Sequence, residues 1–457
     1  MTTEPLLVPS LRPQWQGRPI PGTELPDLAT ALAQAQQWID SGEVPLDETT
    51  SRWIAWPDQP EFQPIYGPVS LNTGAAGIAW YSMAAAAADP ASEQEHLARA
   101  RRALAYVADH WREHADDAFL GIAGTGTGFY GGLAGIAAVL LEAADRGVAP
   151  RSLVTDVLEA VLERRGRAGG RAAGWTGVDA LLGDGGVVIV LTEAAQRLGE
   201  ARYLEAATAI GDLVLAAEQR DAEGAATWVG VPPAMLELPA SLTLDGFELG
   251  TVGIGYVLAR LAQATGEPRF RDAAARAAAA IVRSATVVGD AALFRRMSGD
   301  YSFGYCTGSS GVIRALVGIH HATGDPELLD WALRFGRGIL RSGVPGRQSP
   351  GNAQVHHQCC GSAAVLESFL GLWAQTGEQL WLDAARAQGD DLLIRSVVDD
   401  KGRRWYSESH ALPTGTLKAE VGHQVGASGI ALSMLRLQTA ASPELTLPRL
   451  PDDPFGG

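Results

Sequence analysis

The sequence predicts an all-α fold: a double-layered (α/α) toroid of seven inner and seven outer helices. Three observations carry this. The apolar segments are rich in Ala and Leu, with few β-branched alternations. A short glycine pattern returns seven times along the chain. After several of these units comes a second, more charged amphipathic stretch.

The pattern is Gly, two residues, Gly or Ala, then an aliphatic residue that opens a helical run. It reads "GAAGI" from Gly74, "GLAGI" from Gly132, "GDGGV" from Gly183 and "GTVGI" from Gly250. It continues as "GSSGV" from Gly308, "GSAAV" from Gly361 and "GASGI" from Gly426, at spacings of 58, 51, 67, 58, 53 and 65 residues. Four units share a stop: Gly199, Gly266, Gly324 and Gly377 each lie 16 residues after the first glycine, before Glu or Asp. Glycine suits the end of one helix, and an acid followed by Pro suits the start of the next. The outer helices are exemplified by "EPRFRDAAARAAAAIVRSA" and "DPELLDWALRFGRGILRSG". Seven such hairpins stack as an open solenoid or close into a ring. Inner helices apolar almost all round favour closure, because both faces must then be buried.

Residues 71–440 therefore read as one seven-unit domain. Residues 1–70 form a segment packing on it, in which "DLATALAQAQQWID" supplies a cover or the last outer helix. The tail 441–457, ending "LPRLPDDPFGG", reads as disordered.

Composition bounds the function. With 46% hydrophobic and 19% charged residues the chain is ordinary for a globular protein. A net charge of −16 argues against a nucleic-acid partner, which needs a basic face. No signal-like segment opens the chain, and no apolar run reaches the roughly 18 residues of a membrane span. Three cysteines make no disulfide framework, so a reducing, cytoplasmic setting is expected.

Those cysteines are the chemical signal. Cys306 and Cys359 each lie two residues before their unit's first glycine, in "CTG" and "CCG", and Cys360 follows directly. Equivalent positions on consecutive inner helices bring all three thiols to one point at one end of the ring. Small buried hydrophobes are the plain alternative for such residues. Convergence instead favours a zinc site, in which three thiolates leave the fourth position open as catalytic zinc requires.

The seven Gly-x-x-Gly units with "YCTG" in the fifth and "CCG" in the sixth resemble the lanthionine synthetase C-like cyclases, from about Gly74 to Gly429. The resemblance implies a toroid with one Zn2+ held by Cys306, Cys359 and Cys360. It implies addition of peptide cysteine thiols to dehydroalanine or dehydrobutyrine, closing (methyl)lanthionine rings in a ribosomally made peptide. The commoner motif in the sixth unit is Cys-His-Gly, so Cys360 places the chain with a three-cysteine subgroup. The implied partners are a dehydrated precursor peptide with its leader and a separate dehydratase, since no dehydratase-like stretch is present.

The chain also departs from the family. Leu249 stands where a histidine is usual, Ser302 where an arginine is, and Thr307 where a tyrosine follows the first cysteine. Asp179 matches a family aspartate. Substitute groups must come from the same end of the ring. His423, three residues before Gly426, is either an acid/base group or a core or capping histidine. His356 and His357 precede the cysteines, as orienting groups or as solvated loop residues. We take Asp179, His423 and His357 as the catalytic candidates. Glu248 and Asp245 either act in the fourth unit or are helix-start acids, His320 and His321 are structural, and Arg295 and Arg296 either replace the missing arginine or are a solvated pair. Tyr301, Phe303 and Tyr305 form either a wall of the peptide cleft or ordinary core. The basic connection from Glu163 to Gly174 is an outer loop or a leader contact. Two other helical toroids fit less well: prenyltransferases use mixed zinc ligands, and six-hairpin glycosidases need paired barrel carboxylates. The non-enzymatic alternative is a degenerate relative that binds precursor peptide or scaffolds a synthetase complex.

Overall fold

In the computed structural model, residues 24–61, 67–116, 125–167, 183–228, 246–248, 250–295, 301–346, 355–408, 417–442 and 444–456 are described. The inner helices are α2 (Ala75–Ala88), α4 (Leu133–Asp145), α6 (Asp184–Leu198), α8 (Thr251–Thr265), α10 (Ser309–Thr323), α12 (Ser362–Thr376) and α14 (Ala427–Thr439). Between them run the outer helices α3 (Glu93–His110), α5 (Arg151–Arg167), α7 (Ala201–Ala216), α9 (Pro268–Ser284), α11 (Pro326–Ser342) and α13 (Gln379–Ile394). Each inner helix packs on the next and α14 returns to α2, so the ring closes as a double-layered toroid. The seventh outer helix is α1 (Leu28–Ser41), which packs on α14 from the other end of the chain.

Burial separates the two layers. In α2 every residue from Ala75 to Ala86 is buried, as an element covered on both faces requires. The outer α9 buries one stripe, Phe270, Ala273, Ala274, Ala277, Ala278 and Ile281, and leaves its arginines outside. Covering Phe270 alone contributes about 2–3 kcal/mol.

Both glycine signatures have a backbone cause. Gly199, Gly266, Gly324 and Gly377 adopt φ of 72°, 70°, 73° and 68°, the left-handed stop that costs other residues about 1–2 kcal/mol. The second glycine of the repeat is a close approach. A Cβ on Gly135 would stand 1.6 Å from the Phe129 carbonyl oxygen, and one on Gly311 2.1 Å from that of Tyr305. The loop before each inner helix folds tightly over its first turn, and Gly-x-x-G is the space it needs. Five two-stranded antiparallel hairpins occur among the described residues; the one pairing Thr286–Val288 with Ala291–Leu293 links α9 to α10.

The C-terminal tail corrects the expectation of disorder over 441–457. Pro448 and Leu450 to Phe455 are buried inside the ring. A turn closed by Asp453 N–H on the Leu450 carbonyl puts two carboxylates at its apex. Asp452 accepts from the Tyr130 and Tyr305 hydroxyls at 2.8 and 2.6 Å, and the Pro451 carbonyl accepts from Tyr256 at 2.7 Å. Asp453 pairs with Arg449 at 2.7 Å and Arg436 at 3.5 Å, and Arg436 also reaches Glu367 at 2.9 Å. Burial disfavours the Asp453 carboxylate, but Arg449, Arg314 and Arg436 hold it below the usual carboxylate range. Phe455 packs on Gly371, where a Cβ would collide with its ring at 2.4 Å, and Pro454 lies in ordinary contact with Gly318. Pro448, Pro451 and Pro454 sit in this loop, which packs against Tyr256, Arg436 and the tyrosines that precede the inner helices.

Candidate metal centre

The centre sits on loops laced together by backbone hydrogen bonds around the N-terminal rim. Glu248 N–H donates to Cys306 O at 3.1 Å, and Tyr305 and Cys306 N–H both donate to Cys359 O at 2.8 and 3.1 Å. Cys359 N–H donates to Gln424 O at 2.9 Å, and His423 and Gln424 N–H donate to Asn72 O at 2.8 and 3.0 Å. Asn72 N–H in turn reaches Tyr130 O at 2.9 Å. The fourth, fifth, sixth, seventh, first and second units are thereby tied in ring order, which fixes the cysteine backbones before any ligand is bound. Where the fifth and sixth loops touch, Gly304 leaves room for Cys360: a Cβ there would be 2.6 Å from the Cys360 Cα.

Within this frame the three sulfurs meet. Cys306 Sγ is 3.2 Å from Cys360 Sγ, which is 3.0 Å from Cys359 Sγ, and all three lie within 4.8 Å of one another. None is in a disulfide. Hydrogen bonds from Cys359 and Cys360 hold the Cys306 thiol well below its ordinary range. Contact with Cys306 and burial push Cys359 and Cys360 well above theirs.

The donor set fits zinc. Three thiolates at Zn–S distances of about 2.3 Å would stand about 3.8 Å apart in a tetrahedron. The sulfurs need to spread by under an ångström to accept the ion, which would also drive the remaining two thiols to thiolate.

The candidates around them divide clearly. His357 is buried and its ring favours the Cys306 thiolate electrostatically, so it is not a solvated loop residue. His356 is also buried, and burial, helped by Arg395, pushes it down to about 4. His423 is 1% exposed; burial, with a smaller push from Arg436, takes it down to about 3. It lines a small polar cavity inside the ring with Tyr305, Gln358, Ser310, Trp80 and Asp452. Its Nδ1, Ser310 Oγ, Trp80 Nε1 and Asp452 Oδ1 have no hydrogen-bond partner, so the cavity is polar on several sides.

Asp179, Asp245, Leu249, Arg296 and residues 168–174 of the basic connection lie outside the described residues. His320 and His321 cap the far end of α10, where His320 Nδ1 meets the Asp325 carbonyl at 2.7 Å and His321 Nε2 meets Gln375 at 2.8 Å. Phe303 and Tyr305 are core residues, and Arg295 is exposed, bridging Tyr301 in a short antiparallel contact. Ser302, at the usual arginine position, is buried, with its hydroxyl 3.4 Å from Gly304 N.

Two features extend the sequence reading. The tail's Asp452 grips Tyr305, whose neighbour is Cys306. Glu248 is buried with Oε2 3.8 Å from Cys359 Sγ. Its signal was available: it stands two residues before Gly250, the offset at which Cys306 and Cys359 precede Gly308 and Gly361.

No helix among the described residues is long and apolar enough to cross a membrane. A search of curated proteins found no match to the chain. Among solved structures, nisin cyclase superposes with a TM-score of 0.61 at 13% identity, covering 82% of this chain and 89% of that one. Looser likenesses include the unsaturated glucuronyl hydrolase of Bacillus sp. GL1 at a TM-score of 0.44 and 14% identity, covering 69% of this chain and 86% of that one. A GH76 α-mannanase of Bacteroides thetaiotaomicron gives 0.45 and 14% identity, covering 90% and 95%. The model of the lanthionine synthetase C-like proteins matches residues 66–448. With that match over most of its length, and with the closed helical toroid it folds into, this chain belongs to the lanthionine synthetase C-like family.

Proposed function

We propose that the protein is a zinc-dependent peptide cyclase. It adds cysteine thiols of a ribosomally made precursor to dehydroalanine or dehydrobutyrine, forming (methyl)lanthionine rings. The observation that supports this most is the meeting of Cys306, Cys359 and Cys360 from two successive units at one rim, in a set that fits zinc with one position to spare.

Cys306, Cys359 and Cys360 would hold the ion. When bound, it would supply Lewis acidity that gathers the substrate thiol and favours its thiolate near neutral pH. Cys360, in place of a neutral imidazole, adds one negative charge to the donor set and keeps a bound thiolate more nucleophilic. The new C–S bond forms at the β-carbon of the dehydro residue, and a proton must then reach the α-carbon. His357 sits beside the cluster and favours anionic sulfur there. His423 is neutral at working pH because burial depresses its pKa, so its proposed role is to accept or relay a proton. Asp179 is assigned an auxiliary acid/base role on the resemblance alone. The precursor would arrive with its leader, already dehydrated by a separate enzyme, in the reducing cytoplasm.

A second reading, a peptide-binding scaffold that keeps zinc as a staple, is favoured by Ser302, buried and turned to Gly304 where relatives carry arginine. Purified protein incubated with a dehydrated, cysteine-containing precursor separates the two. Rings are scored by mass spectrometry as thiols that no longer alkylate. Zinc with ring closure supports the cyclase, and zinc without closure supports the scaffold.

A further inference from the structure

We propose that the polar cavity behind the metal loops binds one or two water molecules, and that this water sets the hydrogen of the His423 imidazole on Nε2. Only its functional consequence rests on the reading of His423 as a proton-handling group.

Placement comes first. The cavity lies between α2, α10, α14 and the C-terminal loop, and Tyr305 and Gln358, the chain neighbours of Cys306 and Cys359, also line it. Packing fixes His423 at its wall. A Cβ on Gly77 would stand 2.8 Å from the His423 Cβ, so the second glycine of the first unit makes the space this side chain uses. The His423 backbone is tied as well, through its N–H to Asn72 O at 2.8 Å.

The second ground is unmet hydrogen bonding. Among the described residues, Trp80 Nε1, Ser310 Oγ, His423 Nδ1, Arg436 Nε and Asp452 Oδ1 have no partner in the protein, and all five residues line this cavity. Each is at least nine-tenths buried. The other polar atoms of the two charged groups are engaged. Asp452 Oδ2 accepts from both tyrosines, while Arg436 gives Nη1 to Glu367 at 2.9 Å and Nη2 to the Pro448 carbonyl at 3.3 Å. Polar atoms at such depth are normally satisfied by protein or by ordered water, and here the protein supplies nothing.

Donor and acceptor chemistry selects the ligand. Trp80 Nε1 and Arg436 Nε can only give a hydrogen bond, and Asp452 Oδ1 can only accept one. A cation would face two N–H groups, and an anion would face a carboxylate. Water gives and accepts, so it serves both kinds, and a cavity of about 20 Å³ has room for one or two such molecules.

The same count sets the ring. Water that accepts from Trp80 and Arg436 has its own hydrogens to give, and Asp452 Oδ1 and His423 Nδ1 are there to accept them. The Ser310 hydroxyl turns to either role. A neutral imidazole has one bare nitrogen, which is therefore Nδ1, and Nε2 carries the hydrogen. Burial and the Arg436 charge, which hold His423 at about 3, keep the ring neutral. The consequence is a histidine tied through water to the tail carboxylate at one nitrogen, with Nε2–H left for the proton-handling role.

The test is nuclear magnetic resonance on the full chain, labelled with 15N at histidine rings and tryptophan indoles. Trp80→Phe and His423→Gln assign the two signals. The natural protein at pH 7 should show a through-space cross-peak between bound water and Trp80 Nε1–H, and a His423 pattern with the hydrogen on Nε2. Ser310→Val, which puts methyl groups into the cavity, should weaken the water cross-peak several-fold, with circular dichroism confirming its fold. A natural protein with no water cross-peak at Trp80, or with the hydrogen on His423 Nδ1, would overturn the proposal; so would a folded Ser310→Val whose cross-peak is undiminished. Neither spectrum needs metal or substrate. A dry cavity in a protein that closes rings therefore overturns this proposal and leaves the cyclase reading standing, whereas failure to close rings counts against the cyclase reading and leaves the water site standing.

Discussion

Replacing Asp452 by alanine tests whether the C-terminal loop is a structural member of the ring. In the folded protein its carboxylate accepts from Tyr130 and Tyr305 at 2.8 and 2.6 Å, and all three groups are buried. Each hydrogen bond to a charged acceptor is worth about 1.5–3 kcal/mol. Both hydroxyls would lose this acceptor and keep only each other, so the loss should be about 3–6 kcal/mol. Arg314, which stands over the Tyr305 ring with its centroid 4.9 Å away and 3.7 Å from Asp452, also loses a counter-charge. Asp452→Asn keeps one acceptor oxygen and should cost roughly half as much. Equilibrium urea unfolding, followed by tryptophan fluorescence, reads the difference. Because Tyr305 adjoins Cys306, the alanine variant should also hold zinc more weakly. A loss under about 1 kcal/mol, with zinc affinity unchanged, would refute the claim that the tail supports the site.

Three further outcomes follow from the geometry. Gly135→Ala places a methyl 1.6 Å from the Phe129 carbonyl and should cost more, about 2–4 kcal/mol, than Gly199→Ala at a left-handed stop, about 1 kcal/mol; urea midpoints rank them. Stability should fall as the solution is acidified below pH 6.5. His423 has a folded pKa of about 3, below its unfolded value of about 6.5, so only the unfolded chain takes the proton in that interval. The slope from His423 is about 1.4 kcal/mol per pH unit between those limits, with a like share from His356, held to about 4; His423→Phe should remove its own share, as urea titrations at pH 7 and pH 5 would register. A chain truncated after Thr446 should bind hydrophobic dyes and unfold at lower urea, because Gly371 loses the Phe455 ring that fills its face and Tyr256 loses the Pro451 carbonyl.

Much of the architecture was legible because the repeat ties backbone needs to letters. Glycine at four helix stops, and glycine beneath the folded loops in six of the seven units with Ala364 in the sixth, answer to those φ values and close distances, so seven units could be counted from sequence alone. The cysteine cluster was legible for the same reason: equal offsets in successive units mean equal places in space. Glu248 shares that offset, yet its Oε2 stands 3.8 Å from Cys359 Sγ without joining the three-sulfur group, because a side chain's reach is not set by its offset. The tail reads as disordered because "LPRLPDDPFGG" is rich in Pro and Gly and has no helical or strand period. Its burial depends on Tyr130, Tyr256 and Tyr305, contributed from far along the chain, which no local pattern encodes. His423 was found by position, yet its neutral state comes from complete burial and is invisible in sequence.

Metal content is the most direct test of the central claim, that Cys306, Cys359 and Cys360 form one zinc centre. Protein purified without added metal, then dialysed against a weak chelator, would be analysed by inductively coupled plasma mass spectrometry beside Cys306→Ala, Cys359→Ala and Cys360→Ala. The account predicts about one equivalent of zinc in the natural chain and a large loss in each variant, with folding intact by circular dichroism. Natural protein without zinc, or any variant that keeps the full equivalent, would contradict it.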